Sequence, residues 1–206
     1  APGSSNSVIV GMPNGSTSDS YVSATTGLTV PGVTDRHVYA QTHSALRGKD
    51  VPMVFQTYAE VEFLKAEAAI RGWISSSAQE HYNKGVTAAM KMLKQLYPAS
   101  TAITDAEISA YLAGPGAYDA SKGWEMAMNE YWKATFLNEY EAYANWRRTG
   151  YPTLTPTKHP NSVSNNQIFR RMIYPGGESA TNGDNYAAAV ARQGADDFTT
   201  RMWWDK

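Results

Sequence analysis

Hydrophobic positions recur at helical spacing over most of the chain beyond residue 57, and turn residues divide them into separate helices. The first helix is predicted to open at Thr57, where Thr57 and Glu60 have the T-x-x-E spacing of a capping box. Val61, Leu64 and Ala68 follow with Phe63, and Gly72 supplies a stop. Ser77 and Glu80 repeat the box, and Tyr82, Val86, Ala89, Met90, Leu93 and Tyr97 mark one apolar face that ends at Pro98. Thr104 and Glu107 open a third, short helix that stops at Gly114-Pro115-Gly116. A fourth and longest helix is predicted from about Gly123 to Thr149, with Met128, Tyr131, Trp132, Thr135, Leu137, Tyr140 and Tyr143 giving it an aromatic surface and Gly150 closing it. Residues Gln167 to Tyr174 suit a strand or a short helix, and a last helix is expected at Asn185 to Arg192. The lead-in, residues 1–56, reads as loops with one short strand at Val8-Ile9-Val10. The fold class is mainly α, with long loops and no α/β alternation.

Two capped helices between Tyr58 and Tyr97 form an antiparallel hairpin. Ala78-x-x-x-Tyr82 fits the small-xxx-aromatic position of tetratricopeptide repeats. A single hairpin cannot bury its own apolar face, because roughly three or more repeats are normally stacked. With the long irregular lead-in, this suggests that an N-terminal part of the protein is missing from these residues and that one flank of the hairpin exposes apolar surface.

Composition narrows the function classes. The 206 residues carry 18 Lys+Arg against 19 Asp+Glu, a formal charge of -1, which argues against nucleic acid as a partner. Mean hydropathy is -0.45, and no apolar run approaches the length of a membrane-spanning helix. Zero Cys removes disulfides, thiolate nucleophiles and zinc-thiolate sites. His37, His43, His81 and His159 lack ligand spacing, so no metal is expected, and no P-loop, G-x-G-x-x-G, H-E-x-x-H or G-x-S-x-G occurs, so neither a cofactor nor a catalytic role is indicated. Asp196-Asp197 with Asp184 or Asp205 lacks the spaced loop of a calcium site. Glu60 and Glu67 share a helix face as a glycosidase pair would, but a cap at Glu60 and an arginine partner for Glu67 account for both. The aromatic fraction is high, with 6 Trp, 13 Tyr and 5 Phe. Such rings serve as core filler or as faces that stack on sugars.

Trp146-Arg147-Arg148-Thr149-Gly150-Tyr151-Pro152 recurs in form as Phe169-Arg170-Arg171-Met172-Ile173-Tyr174-Pro175. Four guanidiniums in this pattern suit buried ion-pair anchors, with Glu67, Glu139, Glu141 and Glu178 as carboxylates to hand; an anionic-ligand site is the competing reading. Glu67 is the expected partner for Arg147 or Arg148.

These blocks carry a resemblance. Tyr58-Ala59-Glu60-Val61-x-Phe63-Leu64-x-Ala66-Glu67-Ala68-x-x-x-Gly72-Trp73 is followed by Glu139-x-x-Ala142-x-x-x-Trp146-Arg147-Arg148-Thr149-Gly150-x-Pro152. Then come Arg170-Arg171-x-x-Tyr174-Pro175-x-x-Glu178-x-x-x-Asn182-x-x-Asn185-Tyr186 and the closing Trp203-Trp204-Asp205. In order and spacing the chain resembles the SusD/RagB family of SusD-like outer-membrane nutrient-binding lipoproteins, in its C-terminal portion. The resemblance implies one SusD-like domain, incomplete at the N-terminus, with residues 1–56 as lead-in, 57–97 as helical hairpin and 98–206 as helices and long loops. It also implies a non-enzymatic, cell-surface glycan-binding protein in the outer membrane, its lipid anchor not present here. Such a protein acts as lid of a SusC-like TonB-dependent transporter and passes oligosaccharide, or in some relatives peptide, to it. A structural half with no ligand site of its own is the alternative. The quoted blocks read as scaffold, so the candidate ligand residues are loop aromatics: Tyr21, Tyr39, Tyr118 and Trp124.

Overall fold

A computed structural model describes residues 42, 46–98, 102–156 and 161–205. The expected strand at Val8-Ile9-Val10, the candidates Tyr21 and Tyr39, and His37, His43 and His159 lie outside those residues. The described residues divide into two compact units, one spanning Thr42–Thr153 and one beginning at Leu154. All regular structure among them is helical.

The first unit holds α1 (Tyr58–Ile70), α2 (Ala78–Leu96), α3 (Asp105–Ala113), a short 3-10 turn at Ala120–Lys122, α4 (Gly123–Ala134) and α5 (Glu139–Thr149). The three helix starts fall where the sequence places them. Thr57, Ser77 and Thr104 are N-caps whose hydroxyls accept from the amides of Glu60, Glu80 and Glu107. At Thr104 the reciprocal bond, Thr104 N–H to Glu107 Oε2 at 2.8 Å, completes the box.

Helical spacing puts Ala59, Phe63 and Ala66 on one face of α1, Tyr82 and Val86 on α2, and Ala127, Met128, Tyr131 and Ala134 on α4, and these side chains form the core. Small residues at both ends of the α1 stripe let the helix axes approach while Phe63 fills the space between. Phe63 has 0% exposure, and truncating such a ring to alanine costs about 3–5 kcal/mol. Gly85 on α2 makes the fit possible: a Cβ there would stand 2.7 Å from Phe63 Cε1. The hairpin is therefore closed by a ring seated on a glycine.

The long helix expected from Gly123 to Thr149 is two helices. The apolar pattern runs on across the break, but the backbone does not. Thr135 turns its hydroxyl back to the carbonyls of Tyr131 and Trp132, at 3.1 Å each, and Leu137 takes a positive φ of 72°. The helix ends there, and α5 restarts after Asn138. Two polar links fasten α5: Tyr131 donates to Glu141 Oε1 at 2.7 Å, and Arg148 closes on Glu67 of α1. The expected partner of the Arg147-Arg148 pair is thus correct, but the bond belongs to Arg148. Of the two partners Glu67 is the buried one, at 5% side-chain exposure against 35% for Arg148. The guanidinium of Arg147 lies 4.4 Å from the centroid of the Tyr143 ring.

In the second unit, α6 (Glu178–Thr181) precedes α7 (Gly183–Gln193), which covers the helix expected at Asn185 to Arg192. Residues Gln167 to Tyr174 form neither strand nor helix. Their amides are used elsewhere: Arg170 N–H reaches Phe198 O at 2.7 Å and Tyr174 N–H reaches Asp196 Oδ1 at 3.1 Å. Both arginines of this block are anchored, as the ion-pair reading requires. Arg170 forks onto Asp205, Nε to Oδ2 at 2.7 Å, and Arg171 pairs with Asp196 at 3.0 Å. Asp205 has no side-chain exposure, so its charge is accommodated only through such bonds.

Candidate functional site

The sharpest surface feature of the first unit grows out of the end of α1. Gly72 has a φ of 73°, the left-handed conformation a glycine supplies at low cost. Gly72 N–H bonds Ala69 O at 3.0 Å and Trp73 N–H bonds Ala68 O at 2.8 Å, the paired closure of a Schellman motif. The backbone of Trp73 is therefore held by the helix end, while its indole stands 69% exposed.

The preceding residue fixes the surroundings of that ring. The Arg71 guanidinium lies 5.1 Å from the Trp73 ring centroid and 4.6 Å from that of Trp124, at the start of α4. Arg71 Nε also donates to Glu67 Oε1 at 2.9 Å. Glu67 in turn accepts both arms of Arg148, at 2.5 and 2.7 Å, and Arg148 reaches Asn145 Oδ1 at 2.8 Å. One buried carboxylate thus orients two guanidiniums, and one of these lies against two indoles. Flat apolar faces beside fixed hydrogen-bond donors suit a ring that carries hydroxyls.

Of the four candidates from the sequence, Trp124 belongs to this constellation. Tyr118 is half-buried: its ring stands 5.2 Å from that of Tyr82 in the core, and its hydroxyl occupies the space a Cβ on Gly123 would need. Burial, with the nearby Asp119 carboxylate, pushes the Tyr118 phenol up. Its first role is packing. Arg71 and Trp73 were not among the candidates; the Gly72-Trp73 pair marks the helix end but does not by itself signal an exposed ring, because the residue after a closing glycine commonly packs back on the last turn.

The carboxylates that a glycosidase would need are committed elsewhere. Glu67 is held between Arg71 and Arg148. Glu60 is 3% exposed beside the Thr57 cap, and burial and the Glu141 charge raise its carboxyl. Among the described residues no group of three or more histidine and carboxylate side chains is placed to hold a metal ion, and no helix is long and apolar enough to cross a membrane.

Two of the concavities among the described residues bear on binding. In the first unit a groove of about 660 Å³ runs along α2 and the segment before α1, with Val54, Tyr58, Ala88, Met92 and Leu96 as apolar wall and Lys84 and Lys91 among the polar lining. The groove lies on the hairpin whose flank the sequence analysis expects to expose apolar surface. In the second unit a cavity of about 320 Å³ is lined by Tyr174, Arg192, Gln193, Arg201 and Trp203, whose indole is 84% exposed.

Comparison with known proteins bears on these surfaces. Residues 7–175 match the SusD-like family described as "Starch-binding associating with outer membrane". Among curated proteins no sequence matches the chain. A solved structure named as a chitin-binding protein is 37% identical, with a TM-score of 0.71 over 79% of this chain and 36% of its own. A SusD-like protein from Bacteroidetes AC2a is 34% identical, with a TM-score of 0.74 over 80% of this chain and 32% of its own. A chitin-binding SusD homologue from Flavobacterium johnsoniae is 28% identical, with a TM-score of 0.57 over 72% of this chain and 36% of its own. The chain therefore spans about a third of the length of these relatives. A family match over residues 7–175 and a mainly α fold shared with SusD homologues agree: the chain belongs to the SusD-like family.

Proposed function

We propose that this chain is the part of a cell-surface glycan-binding protein that presents an indole platform to oligosaccharide. The observation that carries the reading is the Arg71 guanidinium set between Trp73 and Trp124, with the Trp73 ring held at its backbone and open to solvent. The role is binding without catalysis. In the whole protein it is that of a lid on a SusC-like TonB-dependent outer-membrane transporter, to which the captured sugar passes. The groove along α2, apolar with a lysine fringe, is assigned to protein contact, because it offers only Tyr58 as an aromatic face. The family description names starch, and two relatives are named for chitin, so two ligand chemistries are to be compared: α-linked glucose and β-linked N-acetylglucosamine oligomers.

Titration calorimetry with both oligomer series tests this. One series is expected to bind, and Trp73→Ala to weaken it roughly threefold to tenfold, the loss expected for one stacked aromatic contact of about 0.5–1.5 kcal/mol. Trp203→Ala serves as the comparison. Loss of binding in Trp203→Ala with none in Trp73→Ala would reject the platform. Binding of neither series would reject glycan recognition by these residues, and capture of peptides from a random panel would favour the peptide-binding reading.

A further inference from the structure

Three side chains from α1, α2 and their connection line up in one hydrogen-bonded row. His81 Nδ1 lies 2.6 Å from Glu62 Oε2, and His81 Nε2 lies 2.8 Å from Ser76 Oγ. The Glu62 side chain is 2% exposed, and its other oxygen accepts from Lys65 Nζ at 2.9 Å, so the carboxylate is fixed from both sides. A carboxylate at Nδ1 keeps the proton on that nitrogen and leaves the Nε2 lone pair facing the serine hydroxyl. Hydroxyl, imidazole and carboxylate in this order, with both contacts inside 3 Å, are the arrangement that activates a serine for attack on a carbonyl. The Glu62–His81 bond alone would serve packing. The third group is what packing does not require, because Ser76 is an exposed residue of the connection.

We propose that Ser76 is an activated nucleophile that accepts an acyl group from small activated esters, with His81 as base and Glu62 as the residue that positions it. Ser76 Oγ attacks the carbonyl carbon as its proton passes to His81 Nε2. The tetrahedral oxyanion collapses, the bond to the leaving oxygen breaks with its electron pair, and that oxygen takes the proton from His81. The acyl group stays on Ser76. Ser76 directly precedes Ser77, the N-cap of a 19-residue helix whose positive end favours negative charge. The inference concerns one covalent acylation per chain, at a modification site, and does not rest on the glycan reading.

The test uses two probes on the purified chain, p-nitrophenyl acetate and an alkyl fluorophosphonate, with the modified residue mapped by peptide mass spectrometry. One modification at Ser76 is expected, absent in Ser76→Ala and retained in Ser75→Ala. His81→Gln is expected to slow labelling by about 10²-fold, the lower range for loss of a general base. Glu62→Gln is expected to slow it less and to move its pH profile to lower pH, a change a packing role would not cause. Circular dichroism checks that each variant is folded; should His81→Gln unfold, the Ser76→Ala and Glu62→Gln results decide alone. No label at Ser76, label spread over lysines, or folded His81→Gln reacting at the wild-type rate overturns the proposal.

Discussion

Replacing Arg148 by alanine removes the fork that ties α5 to α1. Two charge-assisted bonds, at 2.5 and 2.7 Å, are lost from a carboxylate with 5% side-chain exposure. Breaking a fully buried pair costs about 3–5 kcal/mol, and an exposed pair is worth about 0–1 kcal/mol. Here the carboxylate is buried, the guanidinium is a third exposed, and Arg71 Nε remains on Oε1 at 2.9 Å. The loss therefore falls between the two limits, at about 2 kcal/mol, in the range of a hydrogen bond to a charged group. For a chain of this size that lowers the melting temperature by about 4–8 °C. Arg148→Lys keeps the charge without the planar fork and should recover only part of it. Arg147→Ala, which removes a guanidinium stacked on Tyr143, is expected to cost about half as much. Urea unfolding followed by circular dichroism measures all three variants. An Arg147→Ala variant less stable than Arg148→Ala, or an Arg148→Ala variant as stable as the wild type, would refute the assignment of the anchor to Arg148.

Gly85→Ala places a Cβ 2.7 Å from the Phe63 ring, and overpacking of this kind costs about 1–3 kcal/mol, more than the gain of about 1 kcal/mol in helix propensity; the same urea series reads it. Glu62 governs part of the acid limb of stability: burial pushes its carboxyl up, but the bonds from His81, Lys65 and Tyr58 outweigh this and hold it at about 2 against the ordinary 4.5. Because the fold favours the charged form, that contribution is whole above pH 4.5 and is lost as pH falls from there toward 2, so acid unfolding of Glu62→Gln should be flatter across this window.

Much of the architecture was legible because its determinants are local. The helix starts at Thr57, Ser77 and Thr104 are set by a hydroxyl and an amide three residues on, and such pairs are visible in any short window. Gly150, at a φ of 78°, closes α5 by equally local means. Glu67 could be named as a partner because Glu60, on the same helix face, was already used by the Thr57 cap. The division between α4 and α5 was hidden, since the apolar period continues through Phe136 and Leu137 while the break is made by one hydroxyl and one backbone angle. The partners of Arg170 and Arg171 were hidden for another reason: Asp205 and Asp196 stand 35 and 25 residues further along, and no spacing rule reaches that far. Trp73 was read only as the end of the first block that carries the family resemblance. The place of its backbone follows from the closing geometry of α1, which was legible in Gly72, but its exposure does not.

The way α1 ends has a consequence for how the surface above it can change. The orientation of Trp73 is inherited from two amides and one glycine at the helix terminus, and its ring from the arginine one residue ahead of that glycine. Ile74 and Ser75 contribute nothing to either constraint. They can be exchanged, and the neighbours they offer a ligand with them, while the indole stays in register. A chain organised in this way can drift from one sugar to another by editing the border of the platform, with no need to rebuild its centre.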